Sequence, residues 1–149
     1  MRTYVCAGVG FLLAVLWFDL MHDVQVLRPK TGTDPNQSVL SIARYYRRVT
    51  TDARPMNRLV AAVMVATLVA IVVEIARGNV PAWASWPSLG LALVAISLAA
   101  ARTVKNAVGV GAHVDGLTPA DEAVARSIGH DHVFCLLALT AVLVLQLAA

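Results

Sequence analysis

The hydrophobic residues of this chain fall into four runs separated by polar connections. The first covers Val5 to about Val26 and is interrupted by Asp19, His22 and Asp23. The second covers Leu59 to Ala76 with Glu74 near its end, the third Trp86 to Val104, and the fourth Val133 to Ala149. Crossing the hydrocarbon core takes about 17–25 helical residues, and each run approaches that length. The pattern predicts an all-α fold, an integral membrane four-helix bundle forming one domain over residues 1–149, with spans at about 5–26, 59–76, 86–104 and 133–149. The first run reads as an uncleaved helix and not as a signal peptide. Its basic n-region is only Arg2, and Trp17, Asp19, His22 and Asp23 stand where a cleavage site would be.

The connections carry their own signals. Asp34-Pro35 reads as an N-cap followed by proline at the first helical position. Val39, Ile42, Ala43, Tyr46 and Val49 then share one helical stripe, with Arg44, Arg47 and Arg48 on or beside the other face. An additional amphipathic helix over about 35–50 is expected, lying on the inner leaflet or over the bundle mouth. Thr118-Pro119-Ala120-Asp121 resembles a capping box, so the last helix is expected to begin near Pro119, with Glu122 and Arg126 paired at i,i+4. Small residues permit close helix approach in lipid. They assign Gly90, Val94, Ser97 and Ala101 as the packing face of the third span, and Gly8, Leu12 and Val15 as that of the first.

Composition agrees with lipid as the solvent: 58% of residues are hydrophobic and only 14% charged, against about 25% charged in soluble domains. The net charge of +3 does not indicate nucleic acid, because the basic residues flank apolar spans and form no stripe on a soluble face. Anionic lipid headgroups are the partner they suggest. The connections 27–58 and 105–132 lie on one side and hold, with the adjoining span ends, ten lysines and arginines, while the other side has only Arg2 and Arg77. The positive-inside rule makes the long connections cytoplasmic and both termini external, in a chain integral to the plasma membrane. Trp83 and Trp86 in the short connection suit interfacial anchoring. Cys6 and Cys135 fall at opposite membrane faces, too far apart for a disulfide, and no CxxC or CxxCH pair is present.

Ionisable residues within a span cost at least about 2.5–3.5 kcal/mol at the bilayer centre and call for a reason. Asp19, His22 and Asp23 share one broad face of the first helix, and the topology brings His113, His130 and His132 to the same membrane side. Three readings stay open. In the first, Asp19 pairs with Arg58 or Arg102 and the histidines cap helix ends, without activity. In the second, His22 with other histidines and a carboxylate forms a nitrogen–oxygen metal site or haem ligand set. No HxxxH or HxxH pair supports this, and His130 and His132 point about 200° apart on a helix, so no metal or cofactor is assigned. In the third, a histidine beside two carboxylates performs acid–base chemistry on a lipophilic substrate.

The first span ending in Trp17-Phe-Asp-Leu-Met-His22-Asp, the loop segment Ser41-Ile-Ala-Arg-Tyr-Tyr46 and the tail Arg102-Thr-Val-Lys-Asn106 give the chain a layout that resembles the anthrone-oxygenase-like family of small four-helix membrane proteins. It departs from that family's Val-Pro-x-Asn-like stretch, having Lys105 and no proline before the asparagine. The resemblance implies an oxygenase or oxidoreductase acting on an aromatic or quinone-like compound, without cofactor. His22 would be the acid/base, Asp19 or Asp23 its orienting partner, and Asn106 a donor to substrate. The alternative is a non-catalytic accessory or assembly subunit of a larger membrane complex or homo-oligomer.

Overall fold

The computed structural model describes residues 1–29, 32 and 34–149, without the side chain of Arg54. Lys30 and that side chain, two of the basic groups counted above, therefore lie outside the described residues. The chain is all helical, with no strand among the described residues. Helix α1 is Arg2–Leu27 and α2 is Pro35–Arg47, followed by a π-helical turn Arg48–Asp52. Helix α3 is Arg54–Arg77 and α4 is Ala82–Leu98. A second π turn, Ala99–Thr103, runs directly into α5, Val104–Ala112, and α6 is Asp121–Ala148. Four stretches are long and apolar enough to cross a membrane: Arg2–Leu27, Pro55–Arg77, Ala82–Ala112 and Asp121–Ala148. Helices are the form such stretches take, because lipid offers no partner to backbone N–H and C=O groups.

Local chemistry sets several of the helix ends. The Asp34 side chain accepts from the Asn36 N–H at 3.0 Å, with Pro35 at the first helical position. Gly78 ends α3 with φ of +63°, a left-handed conformation that glycine adopts without strain. At the start of α6 the Thr118 N–H and hydroxyl both donate to Asp121 Oδ2, at 2.6 and 2.9 Å. The helix begins at Asp121, two residues later than Pro119, since residues 119–120 form the turn that this carboxylate closes. Glu122 and Arg126 pair at 2.9 Å.

The four long helices form a ring: α1 packs on α3 and α6, and α4 packs on the same two. Val5, Val9, Leu12, Ile71, Ala92, Ala95, Leu139 and Val142 fill its centre. A second core lies at the end of the bundle carrying the long connections, where Val39, Ile42, Ala43 and Tyr46 of α2 meet Ala107 and Val110 of α5 and Ala125 and Ile128 of α6. Helix α2 is thus a packed part of the bundle end. Gly111 lets its backbone approach α5: a Cβ there would lie 2.8 Å from the Arg47 nitrogen. Gly8 faces Thr67 of α3 in the same close manner, on the face assigned to it. The third span departs from expectation. Gly90, Val94, Ser97 and Ala101 point outward, and Ser85, Ser88, Ala92 and Ala95 form the inner face. Alanine and serine occupy both faces of α4, so small size alone did not distinguish them.

The ring is not uniformly closed. Helix α3 packs on α4, yet among the described residues none of its Cα atoms lies within 8 Å of the turn 99–103 or of α5. Helices α3 and α4 therefore splay apart toward the end that α2 covers.

Candidate functional site

That splay opens into a cavity of about 370 Å³. Its walls are apolar, with Leu16, Val60, Met64, Ile96 and Leu139 among them, and its polar groups gather at the end under α2. Both π turns border it, through Val49 and Thr50 and through Ala99 and Thr103. Inserted π turns are rare and concentrate at functional sites.

The polar end is a linked network. Tyr45 Oη donates to Asp19 Oδ1 at 2.6 Å, and Tyr46 Oη donates to Asp23 Oδ1. Asp23 is fully buried, and its second oxygen receives the Nδ1–H of His132 at 2.6 Å. The other nitrogen of that ring, Nε2, stands 3.9 Å from Asp19 Oδ2. His22 stacks flat on Tyr45 with ring centroids 3.8 Å apart, and its Nδ1–H donates to the Phe18 carbonyl at 3.1 Å. A carbonyl can only accept, so the proton of a neutral His22 is at Nδ1 and Nε2 carries a lone pair. The network joins α1, α2 and α6 across large sequence separations.

Burial, and then the nearby Asp19 and Asp23 carboxylates, push the Tyr45 and Tyr46 hydroxyls well above the ordinary phenol range. Both are held as neutral donors. Beside the cavity, Arg102 Nε lies 3.3 Å from Asp131 Oδ2, which also accepts from Thr103 at 3.2 Å. Arg102 is thus committed to Asp131 and does not pair with Asp19.

Of the residues expected to form a site, Asp19 and His22 line the cavity and Asp23 lies directly behind them. Asn106 is half-buried on α5 and does not line it. The histidines divide: His132 joins His22 at the cavity, His113 binds Asp121 at 2.9 Å, and His130 is exposed at a separate groove. Among the described residues no group of three histidines, cysteines or acids is arranged to hold a metal ion. Both cysteines are free, Cys6 half-buried and Cys135 buried at the cavity wall. Sequence reasoning did not single out Tyr45, Tyr46 and His132 as the partners of the two acids. The available signal was Tyr46 on the buried stripe of α2 with Tyr45 beside it, since a phenol is a natural donor to a carboxylate that must be satisfied away from water.

A second polar group lies at the opposite end. Gln146 Nε2 donates to Ser88 Oγ at 3.2 Å, and both are buried. Glu74 is also buried there, and neither of its carboxyl oxygens has a hydrogen-bond partner among the described residues.

Residues 1–149 match the family model of the SHR3 chaperones, described as ER membrane protein SH3. The chain belongs to the SHR3 chaperone family. No curated protein and no solved structure matches it. Membership corrects three expectations. The likeness to the anthrone-oxygenase-like family does not hold, because the features that carried it, a span ending in a polar turn and a loop helix, are generic to small four-span bundles. The oxygenase or oxidoreductase reading falls with it, in favour of the non-catalytic alternative. The plasma membrane is replaced by a family of the ER membrane. The chain remains a membrane protein with four spanning helices.

Proposed function

We propose that this SHR3-family chain is a non-catalytic chaperone of the endoplasmic reticulum membrane that attends other membrane proteins while they fold or assemble. The observation that carries the reading is the match of the chaperone family model to all of residues 1–149. In this reading Asp19, Asp23, Tyr45, Tyr46 and His132 are a clasp that fixes α2 over the bundle end, and His22 braces it by stacking. No reaction is assigned to them or to Asn106. The whole chain acts as a single four-span domain, with both termini in the lumen and the long connections in the cytosol. The ten-to-two distribution of basic residues supports this orientation. The exposed Arg44, Arg47 and Arg48 then face anionic headgroups of the cytosolic leaflet, each contributing about 1 kcal/mol.

The test is cell-free synthesis of multi-span membrane proteins into microsomes that contain or lack this chain. The reading expects a larger fraction of at least one such protein to be extracted by mild detergent as a monodisperse species when the chain is present. Equal yields for every multi-span protein in a broad panel would remove it.

A further inference from the structure

We infer that the cavity beneath α2 is a binding site for a cationic side chain, lysine or arginine, carried by a transmembrane helix of a partner protein. The chaperone reading supplies only the identity of the partner as an immature membrane protein; the chemistry of the site stands on its own geometry.

The volume of about 370 Å³ falls in the range of about 300–1,000 Å³ typical of ligand sites, which pair apolar walls with a few convergent polar groups. The way in is lateral. The first half of α3, with Met56, Val60 and Met64, stands apart from the stretch bearing Ala99, Thr103 and Val104, and Met56 and Val104 are exposed at the rim. A ligand therefore arrives from within the bilayer.

The polar end selects its charge. Asp19 Oδ1 accepts from Tyr45, but Oδ2 has no hydrogen bond among the described residues, and the side chain keeps 16% exposure toward the cavity. His22 Nε2, without a hydrogen bond among the described residues, offers a second acceptor beside it, since Nδ1 is committed to Phe18. With His22 neutral, two ionised carboxylates, Asp19 and Asp23, against the His132 imidazole leave the cluster formally negative whether His132 is neutral or cationic. Among the described residues no lysine or arginine lies within 4.0 Å of either acid, because Arg102 is held by Asp131. The site is an acceptor-rich, negative end with an apolar approach. Asp19 also sits eight residues before the end of α1 at Leu27, about 12 Å along the helix.

Lysine and arginine match this shape: an aliphatic stem that lies on apolar surface and a cationic head bearing only donors. Such residues within a span are costly until they find a partner, and they pair with acids or face a cavity in finished proteins. A helix awaiting its native partner carries an uncompensated charge that Asp19 can hold. An anionic group is repelled at the same place, and an apolar side chain meets only the walls.

The experiment reconstitutes the full chain in phosphatidylcholine nanodiscs with single-span leucine–alanine peptides carrying one lysine, one norleucine or one glutamate at the depth of Asp19. Association is read by energy transfer between dyes on the chain and on the peptide. The lysine peptide is expected to bind at least about tenfold tighter than the norleucine peptide, the scale of one buried charge pair, and the glutamate peptide weakest. Asp19→Asn should abolish the lysine preference. Val60→Trp, which narrows the mouth and leaves the clasp untouched, should weaken lysine-peptide binding if Asp19→Asn does not fold. Equal binding of lysine and norleucine peptides, or a lysine preference that survives Asp19→Asn in a folded bundle, overturns the inference. So does loss of lysine-peptide binding when phosphatidylethanolamine is added, which would make the cavity a lipid-amine site. A chain that protects membrane proteins in the microsome assay yet shows no lysine preference removes this site and leaves the chaperone reading intact. A chain that binds the lysine peptide and protects nothing does the reverse.

Discussion

Tyr46→Phe deletes one oxygen atom and leaves one buried carboxylate oxygen without its donor. Asp23 is fully buried, and its two oxygens are taken by Tyr46 and His132 alone among the described residues. A hydrogen bond to a charged group contributes about 1.5–3 kcal/mol, more than the average of about 0.6 kcal/mol for neutral bonds between membrane helices. The expected loss is about 1.5–3 kcal/mol, or roughly 10–150-fold in the unfolding equilibrium. The neighbouring Tyr45→Phe removes the bond to Asp19, whose side chain still reaches the cavity, so a water molecule can replace the phenol. Its cost should be smaller, about 0.5–1.5 kcal/mol. Reversible unfolding in mixed dodecylmaltoside–SDS micelles, followed by circular dichroism, ranks the two. If Tyr46→Phe changes stability by less than about 0.5 kcal/mol, or if Tyr45→Phe costs more, the clasp does not hold α2 as described.

Other expectations follow from the same geometry. The raised Tyr45 and Tyr46 hydroxyls stay protonated in the fold while the unfolded chain releases its phenolic protons near pH 10, so these groups leave stability unchanged below about pH 10 and lower it above. The slope is up to about 1.4 kcal/mol per pH unit per tyrosine; an alkaline unfolding series on the Tyr45→Phe, Tyr46→Phe double variant should lose it, and an unchanged slope refutes the assignment. Gly111→Ala should destabilise by about 1–3 kcal/mol because the new methyl meets the Arg47 backbone. Gly90→Ala, with nothing within 4 Å, should cost nothing, and equal effects in the same micelle assay would contradict the packing. Glu74→Met should raise stability by about 1–3 kcal/mol by removing a buried carboxyl group without a partner among the described residues; a loss would reveal a partner for that acid. In intact microsomes of a chain lacking Cys6 and Cys135, a cysteine at position 116 should react with an impermeant maleimide and one at position 79 only after permeabilisation, and the opposite pattern inverts the orientation.

What the sequence made legible follows from which interactions are local. Hydropathy, the Asp34-Pro35 cap and the Glu122–Arg126 pair are set within a few residues, and the helical architecture could be read from them. The depth of Asp19 and Asp23 was legible as a cost needing a partner. Which partner met it was not, because Tyr45, Tyr46 and His132 lie 23 to 109 residues away and are chosen by tertiary placement. The expected Arg58 or Arg102 partner overlooked the option of neutral phenols, which satisfy a carboxylate without bringing a second charge into lipid. The inner face of α4 was misread for a different reason: its outward face is also built of small residues. Family membership was the least legible feature, since motifs such as Trp17–Asp23 and Arg102–Asn106 restate the needs of a small bundle more than those of one function.

Pulse-chase co-isolation shows whether this chain attends other membrane proteins transiently. Cells are labelled briefly, the full chain is isolated in mild detergent at successive times, and the radiolabel in co-isolated multi-span membrane proteins is followed. For a transient chaperone, strong association is expected immediately after synthesis, decaying as those proteins leave the endoplasmic reticulum while the chain itself stays behind. An association that persists undiminished through the chase would make the chain a permanent subunit, and no association at any time would rule out a chaperone role.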